Sequence, residues 1–268
     1  MVLSTRALFF TQSMQYWKCP CGVIGEDGKQ SKFTTVKSLT KEHVQQDWHA
    51  VVQEYSRRKL TNDKDKFPAL SGLAKTYDEG QSGQYYAGLW QATLIRDLLW
   101  RTELSETPMP PVTTWRAPSW SWASTNEAID FDLAKGDIGD DDYKAAIQAD
   151  VAVASVDPFG RLKHAQLTVH GKVEDVRRLL VNAYHTAGDA VVGGLTVRAY
   201  VDSKKKWTDA ETITNPCQLL LLTRSRGLVI TRAGKGSDLF KRIGVFMVAP
   251  RYRSYDLDSW RQDTVTLV

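Results

Sequence analysis

The chain has 268 residues, enough for one large domain or two modest ones. Hydrophobic residues make up 42% and charged residues 25%, as in ordinary globular proteins, and 35 Lys and Arg against 31 Asp and Glu leave a formal charge of +4, too little to argue for nucleic acid as a partner. No run of about 18 apolar residues occurs, so no membrane span is expected, and the opening MVLSTRALFFTQSMQYW lacks the apolar middle and cleavage site of a signal peptide, which predicts a cytoplasmic protein.

In chain order, Val2, Leu8, Phe10 and Tyr16-Trp17 alternate weakly and predict a hairpin of short strands. The segment CPCGVIGEDGK (19–29) follows, and its Gly22, Gly25 and Gly28 read as turns in a polar loop. Behind Thr40 as a cap, Val44, Trp48, Val51, Val52 and Tyr55 recur at spacings of three and four, which predicts a helix over about 40–58. A second helix is expected after Pro68, with Leu70, Leu73, Ala74 and Tyr77 on one face and Gly80 at its end. A third is expected from Leu89 through Leu94, Ile95, Leu98 and Leu99 to Trp100, before TPMPP (107–111) stops helix formation.

After residue 112 the period changes from helical to alternating. AQLTVHGKV (165–173) puts Leu167, Val169 and Val173 on one face and His170 on the polar one, and LTVRAYV (195–201) repeats the pattern. CQLLLLTRSRGLVITR (217–232) reads as a hairpin around a Gly-containing turn, and RIGVFMVA (242–249) as another strand. The predicted fold is α+β: an N-terminal hairpin and helical part (1–111) on a largely antiparallel, sandwich or barrel-like β-rich part (112–268), forming one compact unit. The acidic segment AIDFDLAKGDIGDDDY (128–143) fits no calcium-loop register and reads as a solvated loop.

Cys19, Cys21 and Cys217 are an odd number for a disulfide framework. No second cysteine pair follows CPC to complete a zinc site, so neither a metal nor a cofactor is expected.

Six pieces stand in one order: VLSTRALFF (2–10), YSRRKLT (55–61), FPALSGLAK (67–75), YYAGLW (85–90), LLW (98–100) and RAPSWSWAS (116–124). Their order and wording resemble the fungal heterokaryon-incompatibility (HET) domain proteins over residues 2–124. The resemblance implies a fungal source and an ancestry in self/non-self recognition that triggers cell death. In that family the defining domain precedes the Leu-Ser-x-Arg-x-Leu segment, whereas here Met1 directly precedes Val2. The resemblance therefore implies the region that follows the HET core, with the core absent, and carries over no functional residue.

RAPSWSWAS is the densest stretch of a chain with nine tryptophans. Read as a strand behind Pro118, it puts Trp120 and Trp122 on one face and Ser119, Ser121 and Ala123 on the other. One reading of this face is a packing seam between helices and sheet. The other is the wall of an apolar pocket.

On the pocket reading, Trp90, Trp115, Trp120 and Trp122 bind substrate, and Arg116 and His170 are the catalytic candidates. No nucleophile elbow or triad motif occurs, so the chemistry would be a cofactor-free, pericyclic-type cyclisation or isomerisation of a fungal secondary metabolite, which needs a shaped cavity and a hydrogen-bond donor. The alternative is a non-catalytic, incompatibility-related regulatory or interaction module with a protein partner, docking through its sheet edge or acidic loop.

Overall fold

The computed structural model describes residues 7–10, 15–19, 22–29, 47–79, 83–103, 109–135, 143–176, 179–181, 187–192, 195–202, 212–213, 216–248 and 257–268. It is α+β, with a barrel-like C-terminal part. Two compact units form: residues 1–51 with 72–82, and residues 52–71 with 83–268. Segments 52–71 and 83–111 thus fall in the same unit as the late strands. Among the described residues no helix is long and apolar enough to cross a membrane.

In the first unit, strands β1 (Ala7–Phe10), β2 (Gln15–Cys19) and β3 (Gly22–Gly25) form an antiparallel sheet. Gly22–Gly25, expected in a polar loop, is a strand because β-branched Val23 and Ile24 pair with Lys18 and Trp17. The reversal comes at Glu26–Gly28, where Gly28 has φ +74°. The first helix is described over Trp48–Ser56, its residues from Val52 on belonging to the second unit, with Asp47 Oδ1 accepting from Ala50 N at 3.0 Å. The expected cap Thr40 and residue Val44 lie outside the described residues. Ser71–Asp78 is the second helix, with Leu73, Ala74 and Tyr77 buried as its spacing predicts. Trp48 and Tyr77 meet with ring centroids 5.5 Å apart.

In the second unit the third predicted helix shrinks to one turn, Leu94–Asp97. Two-residue strands β4 (Tyr85–Tyr86) and β5 (Leu89–Trp90) pair first, around Ala87 (φ 51°) and Gly88 (φ 96°). Two successive positive φ values are the mark of a type I′ hairpin turn, and the first two residues of the predicted helix, Leu89 and Trp90, are the returning strand of that hairpin. Asp97 Oδ2 accepts from Trp90 N at 2.8 Å and ties the helical turn back to β5. Strands β6 (Arg101–Thr102) and β7 (Ile129–Asp130) form a second short ribbon.

The large sheet holds β8 (Ala146–Val153), β9 (Leu162–Val176), β10 (Leu179–Val181), β11 (Ala187–Val192), β12 (Leu195–Val201), β13 (Thr212–Ile213), β14 (Cys217–Leu221), β15 (Arg226–Arg232), β16 (Leu239–Val248) and β17 (Arg261–Leu267). β16, β15, β14, β9 and β17 pair in that order, and β17 returns to β16 in parallel register (Leu239↔Thr266), closing a five-stranded ring. A wing of β12, β11, β10 and β13 extends from β16. Along β9, Ala165, Leu167, Val169 and Val173 are buried, as the alternation predicts. The β14–β15 hairpin forms as expected, but its turn is Leu222–Ser225 and Gly227 lies inside β15. A Cβ on Gly227 would sit 2.1 Å from the Leu220 carbonyl oxygen, so the strands meet only over a glycine.

Opposite the Val229/Ile230 step, β16 carries one residue, Ile243, without a partner in β15. Such a bulge re-aims the neighbouring side chains. Beside it, Arg242 turns a fully buried guanidinium onto the face of Trp100, 3.5 Å from the ring centre. Asp202 pairs with it at 2.9 Å, and the carbonyls of Leu98 (2.7 Å) and Trp100 accept from its Nη1 and Nη2. A barrel strand is thereby fixed to the segment that carries the tryptophans.

Candidate functional site

RAPSWSWAS is not a strand. Pro118 O accepts from Ser121 N and Ser121 O from Ser124 N, each at 3.0 Å, so the chain turns and enters a 3-10 helix at Trp122–Ser124. Ser121 drives this locally: its Oγ accepts from Ala123 N at 3.1 Å and donates to Ala87 O at 2.6 Å. Trp120 and Trp122 are nevertheless both fully buried, as is Trp100. Trp100 Nε1 donates to Trp120 O, and Trp122 Nε1 to Gly88 O, each at 3.0 Å. Tyr55 and Phe67 meet Trp122 edge-on at 6.0 and 6.1 Å, while Tyr85 and Phe159 surround the buried Trp90 at 5.0 and 6.1 Å.

These indoles touch protein on their faces and edges, which is the packing-seam arrangement. Trp115 stands apart at 56% exposure. Lys66 is also drawn into this layer: the residue is 3% exposed, and its amine lies 5.6 Å from the ring centres of both Tyr55 and Trp122. Burial, aided by the Arg116 charge, lowers the Lys66 amine to about 8.

The two catalytic candidates do not meet. Arg116 spends its guanidinium on the loop itself, donating to Ala123 O (2.6 Å), Thr125 O (2.7 Å) and Asn126 Oδ1 (2.7 Å), with Asp63 Oδ1 at 3.1 Å. Its role is to hold the turn, and no edge is left to orient a ligand. His170 is exposed on β9, with Nδ1 2.8 Å from Thr264 Oγ1, and no hydrogen bond joins it to Arg116 or to a tryptophan. Of the six residues expected to form a pocket, Trp90, Trp120, Trp122 and Arg116 are buried against protein, whereas Trp115 and His170 are exposed.

The built, solvent-reaching site lies elsewhere in this unit. Arg57 just past the first helix, Arg101, Thr102 and Glu103 from β6 and its end, Asp130 and Asp132, and Arg198 and Tyr200 from β12 line a cleft of about 500 Å³. Its charges are already paired. Arg101 Nε reaches both oxygens of Asp130, at 2.9 and 3.0 Å, and Nη2 reaches Asp132 at 3.2 Å. Arg57 donates to both oxygens of Glu103 and to Glu54, and Arg198 Nε lies 3.0 Å from Asp189. The Arg101 guanidinium also lies over the Tyr200 ring, 4.9 Å from its centre.

Hydrogen bonding to Glu103 raises the Arg57 pKa, and hydrogen bonding to Asp189 raises that of Arg198. Burial opposes the Arg101 charge, but Asp130 outweighs it and the net shift is upward. The Lys135 ammonium, with Arg101, holds Asp132 below the usual carboxylate range. Thr102 is the exception to this pairing: it is 4% exposed, and its buried Oγ1 has no hydrogen-bond partner.

One sequence feature ends here in a role not expected of it: Asp130 and Asp132 belong to the segment read as a solvated acidic loop, of which residues 136–142 lie outside the described residues. No local signal could have joined them to Arg198, which is paired in space only once the wing strands form. A second open cleft, of about 670 Å³, runs along β8 past Gln84, Gln91 and Gln148. Among the described residues no cluster of three His, Cys, Asp or Glu could hold a metal ion.

No family model, curated protein or solved structure matches this chain.

Proposed function

We propose that this chain is a non-catalytic recognition module, of the kind its resemblance to the HET-family region suggests, and that it binds through the cleft between Arg101 and Tyr200. The observation that carries this reading is the cleft's state: its ion pairs are preformed, yet the buried Thr102 hydroxyl on its lining has no hydrogen-bond partner. Preorganised donors and acceptors favour binding because few groups must be ordered on contact. They do not favour proton transfer. A general acid or base works with a pKa near the working pH, whereas Asp132 is pushed down and the arginines up. A cyclase would need a cavity among the tryptophans, and Trp90, Trp120 and Trp122 are buried against protein.

The test is native mass spectrometry of the chain mixed with the low-mass and peptide fractions of a fungal extract. The wild type is expected to retain a ligand that Arg57→Ala/Arg198→Ala loses at least about tenfold, with the extract masses otherwise unchanged. A ligand retained equally by the double variant, or protein-dependent conversion of extract components to new masses, would overturn the proposal.

A further inference from the structure

Resting on that reading of the cleft, we infer that its ligand is a neutral, hydroxyl-rich molecule: a mono- or disaccharide. The first argument is charge. Three guanidiniums (Arg57, Arg101, Arg198) face three carboxylates (Glu103, Asp130, Asp132), so the lining is formally neutral. A phosphate placed against Arg101 would also lie against Asp130 and Asp132. An ammonium placed against those acids would meet Arg101 and Arg198. Either ion would be desolvated without a net partner.

The second argument is the hydrogen-bonding capacity that pairing leaves over. Arg101 and Arg198 use Nε and Nη2 on their carboxylates, and among the described residues Nη1 of each has no acceptor. The Thr102 hydroxyl, able to donate and accept, has no partner. Glu103 and Asp132 keep spare lone pairs beside these donors. A wall on which donors and acceptors alternate matches vicinal hydroxyls, each of which does both. A mixed-charge peptide would have to exchange its own ion pairs for pairs already made, whereas a neutral polyol leaves them intact. The volume of about 500 Å³ lies in the usual range for small-molecule sites.

The test is an NMR titration of the full chain, following the Nε–H signals of Arg101 and Arg198. The probes are glucose, mannose, N-acetylglucosamine, maltose and chitobiose, set against inorganic phosphate and a Lys-Glu peptide. Saturable shifts with at least one neutral saccharide are expected. Thr102→Val should weaken that binding at least about tenfold while raising the melting temperature by about 2–4 °C, because it removes an unsatisfied buried hydroxyl at nearly constant shape. A merely structural hydroxyl would give the reverse, lower stability with unchanged affinity, and that result would overturn the inference. Shifts with phosphate or the peptide alone would remove the saccharide class and leave the recognition reading standing. Shifts with no probe would also remove the class, and the native-mass comparison of the Arg57/Arg198 double variant then decides the recognition reading separately.

Discussion

Trp122 donates its indole N–H to the Gly88 carbonyl at 3.0 Å, and a Cβ placed on Gly88 would lie 2.5 Å from that same nitrogen. The hydrogen bond and the close approach are one requirement: the Tyr85–Trp90 hairpin turn is seated on the buried indole. Gly88 also has φ +96°, where a side chain is strained whatever room it has. Gly88→Ala is expected to lower stability by about 2–4 kcal/mol, from backbone strain together with displacement of Trp122. Urea unfolding followed by tryptophan fluorescence measures it, and a loss below about 1 kcal/mol would show that the turn is not held by the indole.

Arg242 and Asp202 form the polar joint between β16 and the tryptophan segment. Removing the cation alone leaves a carboxylate and the Leu98 and Trp100 carbonyls without their donor. Arg242→Met should therefore cost about 3–5 kcal/mol. The double variant Arg242→Met/Asp202→Leu should recover part of that loss, because an apolar pair carries no desolvation penalty. Additive losses in a double-mutant cycle would show that the pair is not coupled.

Lys66 predicts a pH dependence with a definite sign. Its amine is lowered to about 8 by burial, against 10.5 for an unperturbed lysine. Between those values the unfolded chain binds more protons than the folded one, so stability rises with pH there. Tyr55, raised to about 12 by burial, acts in the opposite sense above its ordinary value of 10.0, and so does Cys217, raised by burial from 9.0 to about 11, so the rise is read cleanly between about pH 8 and 9. Lys66→Met should abolish this slope and stabilise the protein at pH 7 by about 1–3 kcal/mol. A wild-type chain with flat stability across that window would contradict the burial of the charge.

The Arg198–Asp189 pair supplies the contrast. Both side chains are more than half exposed, at 58% and 53%. Arg198→Ala is therefore expected to change stability by less than about 1 kcal/mol. Thermal unfolding at low and moderate salt checks this, and the same measurement on Arg57→Ala/Arg198→Ala separates loss of ligand from loss of folding.

The amino-acid sequence by itself determined the class of the fold and the faces of its regular elements. The alternation of Leu167, Val169 and Val173 and the spacing of Leu73, Ala74 and Tyr77 encode which side of each element avoids water, a local property of period two or 3.6 that survives without any partner. It left open whether the tryptophans formed a packing seam or the wall of a pocket. What it misassigned were segments whose backbone is set by hydrogen bonds. Pairing with Tyr85–Tyr86 made a strand of Leu89–Trp90 at the start of an apparent helix, and Ser121 turned an apparent strand into a cap. Tertiary structure alone decided the cleft. Arg57, Thr102, Asp130 and Arg198 come from four separate stretches, and their charges carry no periodic signal, because a polar residue reads as solvated until another element is folded against it. The ring closure of β16 with β17 and the growth of the β12 wing bring those stretches to one place, which turns scattered surface charges into a paired lining with one hydroxyl left over.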